Sequence, residues 1–386
     1  IYVWGRIWVC LPDFRTFMAG DLVHSTDRAG FTDIIKFTEN DFFNEGGTFS
    51  IPVNAGKITS LMAPDTQDNS LGQGNLLIGT TNSVFSVNTP IDRTVWKNVT
   101  FPIQTVALID YGPTGPRFVP QVNGDIWYRA LDGFRSFIVA RREIQIYGNT
   151  PMSREVDPIM SPDTDNLLFF GSGILFDNRL LMTVSPYYND LGVAHRGLAV
   201  LNFDLLSNIQ GKLPAAWEGA WSGLNVCQLV KGNIDRKEHA FAWVANDTCL
   251  ELWEFKRAKE GYYDQVTAIL SDGERVITRV PIAGAIATRA MDFQSPVNNK
   301  GLRMAELYID EIVDDVTITI KFGPDQYPSW LDWATIQVCA NVSQCTIQAP
   351  EESQCEVWKP RARGYAARIL LPQPPETCND LAGVPL

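Results

Sequence analysis

The sequence predicts an all-β chain, a β-propeller followed by a β-sandwich, from three observations. Short runs rich in Val, Ile, Phe, Tyr and Trp are separated by Gly, Asp, Asn and Pro turn signals. Helical periodicity over more than two turns is nearly absent. The strand-like runs also fall into successive clusters of roughly 40 to 60 residues, the span of a propeller blade.

The first cluster covers RIWVCLPDF from Arg6, DLVHS from Asp21 and FTDIIKFT from Phe31. The second covers GKITSLMAP from Gly56, NLLIGTTNSVFSVNT from Asn75 and WKNVTF from Trp96. IQTVALIDYG, PRFVPQV, GDIWYRAL and FRSFIVARRE, between Ile103 and Glu143, form the third. The fourth holds NLLFFGSGILFDNRLLMTVSP from Asn166 and RGLAVLNFDL from Arg196; the fifth holds WSGLNVCQLVKG, EHAFAWVAN and CLELWEFKR, between Trp221 and Arg257. Within GDIWYRAL, alternation puts Ile126 and Tyr128 on one face and Trp127 and Arg129 on the other. Asp132-Gly133 is expected to supply the positive-φ turn into FRSFIVA, and Phe176-Asp177-Asn178-Arg179 repeats the device before LLMTVSP.

After Gly261 the character changes. Residues 261–280 read as a polar linker between two cores, the domain boundary following a propeller over 1–260. From 281 to 371 a new strand series suits a β-sandwich, in which VTITIKF sets Thr317 and Thr319 against Ile318 and Ile320 as a half-buried antiparallel strand should. Residues 372–386, with several prolines and no strand pattern, read as a terminal arm.

These segments resemble a known family. WYRALDGFRSF with MSREV, then TRAMDF, ELYID and PDQYPSWLDW leading into a cysteine-containing loop, are similar to the β-propeller tail proteins of bacteriophages, particularly the tail nozzle proteins of short-tailed phages. The resemblance covers most of residues 120–380, and residues 1–119 share only the blade rhythm. It implies a virion structural protein, assembled in the bacterial host cytoplasm, that packs as a ring homo-oligomer with neighbouring tail proteins. No catalytic, cofactor-binding or metal-binding residue carries over from it.

Charge agrees with a protein that does not grip nucleic acid. Against 44 acidic residues stand 32 basic ones, a net charge of −12, and phosphate binding needs the opposite balance. The short basic clusters at Arg141-Arg142, Arg236-Lys237 and Lys359 to Arg363 read as solvated loops. A negative lumen would let passing genomic DNA slide without sticking, which the resemblance makes relevant. No segment approaches the roughly 18 apolar residues of a membrane span, and the opening run IYVWGRIWVC reads as a strand in a fragment that lacks upstream strands.

No site emerges from the reactive residues. Cys10, Cys227 and Cys249 stand singly in strand-like runs and are expected as buried thiols. Cys339, Cys345, Cys355 and Cys378 match no zinc spacing, and free thiols are expected of them in a reducing cytosol. His24, His195 and His239 lie in separate clusters. Ser25 to Phe31 imitates an Asp-box of glycan hydrolases but has one residue too many and lacks the Trp. Asp163 to Asn166 begins like a calcium loop, then runs into Leu167 to Phe170 where ligands would be needed, and so reads as a turn entering a strand. The sequons at Asn98, Asn246 and Asn341 read as chance, and no nucleotide fingerprint occurs. Trp217, Trp221, Trp330 and Trp333 are expected in cores. The reading is therefore a non-enzymatic tail component without cofactor; the alternative is a glycan-binding or glycan-cleaving propeller.

Overall fold

The computed structural model describes residues 1–21, 37, 47–63, 75–90, 93–99, 103–107, 111–122, 124–137, 151–203, 216–246, 249–257, 263–269, 275–287, 304–308, 316–324, 329–338, 344–348 and 365–371. Strands dominate, and the chain divides into two compact units, Ile1–Arg257 and Ala258–Leu386. Among the described residues no closed barrel or propeller ring is formed.

The first unit is a series of antiparallel meanders. Strands β1 (Tyr2–Val3), β2 (Arg6–Cys10), β3 (Thr16–Ala19) and β4 (Thr48–Ser50) make one four-stranded sheet in sequence order. The next four, β5 (Ile58–Met62), β6 (Leu77–Thr80), β7 (Val84–Val87) and β8 (Ile103–Ala107), make another. IQTVA thus closes the second sheet instead of opening the third, and the Trp96 segment is a 3-10 helix, Arg93–Asn98, instead of a strand. A three-stranded sheet follows from β9 (Gln121–Val122), β10 (Asp125–Ala130) and β11 (Gly133–Ser136).

The last sheet of this unit has six strands: β12 (Gly173–Phe176), β13 (Arg179–Asn189), β14 (Gly192–Asn202), β15 (Ala216–Ile234), β16 (Lys237–Ala245) and β17 (Leu250–Phe255). The fourth and fifth clusters, expected as separate blades, are therefore joined by the β14–β15 ladder from Asn202↔Ala216 to His195↔Val226. Sequence could not show this, because nothing local distinguishes a strand that pairs backwards from one that starts a new sheet.

Each sheet buries a face against the next. Trp8, Phe17 and Phe49 of the first sheet share a core with Ile58, Ile78 and Phe85 of the second. Met62, Leu77 and Val84 of the second meet Ile126 and Tyr128 of the third and Phe137, the residue after β11. Phe118, Val122, Trp127 and Phe134 then join Leu180, Met182, Val184, Ala199 and Leu201 of the six-stranded sheet. The opposite face of that sheet gathers Ile174, Phe176, Leu181, Leu198, Val226, Leu229 and Ala242 into a core of its own, with β12 touching β15 and β16. The sheet coils to allow this, and Gly219 and Gly223 in β15 take φ of +106° and +105°, left-handed values that glycine alone adopts cheaply.

Turn chemistry was partly legible. Asp177 and Asn178 both have positive φ, 48° and 55°, and close Phe176 onto Arg179 in the two-residue hairpin expected of that sequence. The other expected turn sits one residue earlier: Leu131 and Asp132 form the loop, and Gly133 opens β11 at φ +148°. A side chain there would lie 2.4 Å from Ser153 Oγ and 2.7 Å from Pro151 Cβ, so the glycine serves a close approach as well as a backbone angle. Leu167 to Phe170, expected to enter a strand, belong to a 3-10 helix, Asp165–Phe170; an apolar run of that length has no period to separate the two.

In the second unit, β18 (Tyr263–Ile269) and β19 (Arg275–Pro281) pair as an antiparallel hairpin. Residues 261–280 are therefore not a bare linker: YDQVTAI and RVITRVP carry enough β-branched residues to form a ladder despite their charges. Then come β20 (Gly284–Ala287), β21 (Met304–Tyr308), β22 (Val316–Pro324), β23 (Leu331–Val338), β24 (Gln344–Gln348) and β25 (Tyr365–Leu371). They form a four-stranded sheet ordered β20-β25-β22-β23 and the pair β21-β24. β22 alternates as expected, with Ile318, Ile320 and Phe322 buried and Thr317 and Thr319 half-buried. Residues 372–386, expected as an arm, lie outside the described residues.

Candidate functional site

The surface that stands out is the outer face of β15–β17. Register puts Gln228, Trp243 and Leu252 in one cross-strand row and Val230, Phe241 and Glu254 in the next, with Ala245 opposite Leu250. The other face of the same strands is packed, with Ala240 and Ala242 opposite Phe255 and Trp253. An antiparallel sheet with one buried face normally turns polar residues to water on the other. Here Trp243 is 39% exposed, Leu252 54%, Leu250 47%, Val230 37% and Ile234 49%. Contiguous exposed apolar side chains of this kind mark an interaction surface.

The rim of that face is polar and ordered. His239 Nδ1 lies 2.6 Å from Glu254 Oε1, and Lys256 Nζ donates to Glu254 Oε2 at 3.1 Å. The His239 bond, helped by Lys256, holds the Glu254 carboxyl below the usual carboxylate range. His239 also stacks on Phe241, with centroids 6.1 Å apart. The arrangement is an apolar centre with a charged edge, the anatomy of a protein interface.

Two sets of buried polar groups in the first unit tie separate elements together. Arg129 Nη2 donates to Asp163 Oδ2 at 2.9 Å, both side chains 3% exposed, while Asp163 Oδ1 accepts from Ser185 N at 2.7 Å. Ser185 Oγ donates to Ile159 O at 3.1 Å, and Ser185 sits at φ +56°. This set joins β10 to the loop before the 3-10 helix and to β13. Burial is the larger influence on Asp163 and raises its carboxyl, with Arg129 opposing. Similarly, Ser172 Oγ accepts from Leu229 N at 2.9 Å, bonding β15 to the residue that precedes β12.

Among the described residues, those weighed in the sequence do not converge. His195 is fully buried in β14, its Nδ1 3.0 Å from Val226 O, and burial pushes its imidazole down to about 4. His239 lies towards the far end of β16, roughly 17 Å along the ladder at 3.4 Å per residue. Cys10 and Cys227 are half-buried free thiols, but Cys249 is exposed, because it stands just before an edge strand instead of inside a ladder. Trp217 is half-buried, stacks on Phe134 at 5.7 Å and donates to Met152 O, whereas Trp221 is 41% exposed, against the expectation of core. Trp330 and Trp333 are half-buried, and Trp333 meets Phe322 edge to face at 6.1 Å.

Asp163, weighed for calcium, is a buried ion-pair member in a turn, and Asp165 starts the 3-10 helix. His24, Ser25 to Phe31, Arg141, Arg142, Asn341, Cys339, Cys355, Cys378 and Lys359 to Arg363 lie outside the described residues. Among the described residues, no group of three or more His, Cys, Asp or Glu gathers as a metal site, and no helix is long and apolar enough to cross a membrane. The outer face itself was missed in sequence. Part of its signal was present in CLELWEF, where Leu250 and Leu252 alternate with Glu251, but alternation alone does not say which face is wet, and only the ladder brings Trp243 beside Leu252. No protein-family model matches the chain, and no curated protein is significantly similar to it.

Proposed function

We propose that this chain is a structural component of a phage tail, a nozzle or tail-tip tube, in which propeller-type blades followed by a β-sandwich pack as a ring with copies of the same chain and with neighbouring tail proteins. The observation that carries the packing role is the apolar outer face of β15–β17 with its ordered His239–Glu254–Lys256 rim. A rigid part whose work is geometric needs such a face, and a cyclic ring is the simplest closed use of it. The serial sheets, each sharing a core with the next, support the propeller-type architecture, because blades stack face to face. The tail assignment rests on the family resemblance of residues 120–380, and the net charge of −12 suits a conduit that genomic DNA passes without adhering. Reconstruction of the particle that carries this protein tests the reading. Several copies arranged around the tail axis are expected; one copy per particle, or copies that touch none of their own kind, would overturn it.

A further inference from the structure

A second surface feature lies at the rim of the coiled core, on the opposite side of the six-stranded sheet from the apolar outer face. Trp221 stands in β15 between the two left-handed glycines, Gly219 and Gly223, and pairs with the buried Leu198. Trp221 nonetheless remains 41% exposed. Phe255 lies beside it, ring centroids 6.5 Å apart at 41°, and the buried Phe176 and Leu181 line the same shallow cleft. Asp177, Arg179 and Lys256 complete the lining.

Two of those polar groups are held in place. The Asp177-Asn178 turn fixes the end of the β12–β13 hairpin, and Arg179 Nε donates to Glu218 Oε1 at 2.8 Å while Nη1 donates to Asp177 Oδ2 at 3.3 Å. Arg257 lies over the Phe176 ring at 5.9 Å. The charges around the cleft balance, with Asp177, Glu218 and Glu254 against Arg179, Lys256 and Arg257, so the site gives no net attraction to an ion of either sign.

We propose that this cleft binds a neutral saccharide, one sugar ring lying on Trp221. An exposed indole offers a flat apolar face for the C–H face of a pyranose. Neighbouring hydroxyls on the ring edge each need a donor and an acceptor, and a guanidinium, an ammonium and a carboxylate at one rim supply both. A few fixed polar groups around an aromatic surface are also how small-molecule sites obtain orientation. The cleft and the outer face lie on opposite sides of the sheet and meet at Lys256, which also belongs to the rim of the outer face, so the Trp221 variants are what separate this inference from the assembly reading.

Saturation-transfer NMR on the whole chain tests it, with methyl glycosides of glucose, galactose and mannose, maltotriose, and methyl glucuronide as a charged comparison. A shallow one-ring cleft should bind in the range of about 1 mM, so probes are used at about 10 mM. Transfer to ring protons of at least one neutral sugar is expected, lost in Trp221→Ala and retained in Trp221→Phe. Lys256→Ala, at a side chain 59% exposed, should weaken the signal several-fold with circular dichroism unchanged, and keeps the test open should Trp221→Ala fail to fold. No transfer from any neutral sugar, transfer to the glucuronide alone, or signals indifferent to both Trp221→Ala and Lys256→Ala would overturn the proposal.

Discussion

The two halves of the six-stranded sheet are built from the same kind of ladder and treated in opposite ways. In β12–β14, Leu180 and Met182 point into the core shared with the preceding sheet, while Leu181 and Ile174 point into the coiled core, so both faces are dry at these positions. From Val226 of β15 through β17 only one face is packed, and the other shows Trp243, Leu252, Leu250 and Val230 to water. Hydrophobic content is similar along both halves; what differs is whether another sheet of the same chain reaches the second face. An apolar strand therefore reports burial only when a partner surface exists, and the unpartnered half is where an external partner gains most.

If the comparison holds, the largest effects of substitution fall where the packed half is tied to its neighbours. Asp163→Ala leaves the Arg129 guanidinium buried without its carboxylate and should destabilise the first unit by about 3–5 kcal/mol, measured by denaturant unfolding followed through near-ultraviolet dichroism. Leu180→Ala, at a fully buried position, should cost about 2–5 kcal/mol by the same measurement.

The pH dependence comes next. Burial lowers the His195 imidazole to about 4 from its usual 6.5, so between those values the unfolded chain binds more protons than the folded one. Its contribution is fully present above about pH 6.5 and is lost as pH falls towards 4, a change of about 3 kcal/mol. His195→Gln should flatten that part of the stability profile; an unchanged slope would show that the imidazole does not titrate as its burial requires. Asn178→Val, which puts a β-branched residue at φ 55°, should cost about 1–2 kcal/mol. Leu252→Ser, on the open face, should change the stability of the isolated chain by less than about 0.5 kcal/mol.

The same contrast explains what could be read from sequence. The Asp177-Asn178 turn and the Ile318/Thr319 alternation were legible, since both follow from local sterics and a two-residue period. The 3-10 helix at Leu167 to Phe170 was not, because a short apolar run fits several backbones until its neighbours choose one. Nor was the β14–β15 ladder, which depends on residues distant in sequence, or the Arg129–Asp163–Ser185 tie, whose members are spread over three elements. Trp221 and Trp217 illustrate the limit within four positions: one parity class, one glycine-permitted bulge between them, and opposite fates.

The proposed ring places the open face of β15–β17 at the contact between copies. Mass measurement of the purified chain over a concentration series, alongside the double variant Trp243→Glu with Leu252→Glu, tests it most directly. A discrete oligomer that the variant reduces to monomer, with its circular dichroism unchanged, is the predicted result; a monomer at every concentration, or an oligomer that survives both charges, would contradict it.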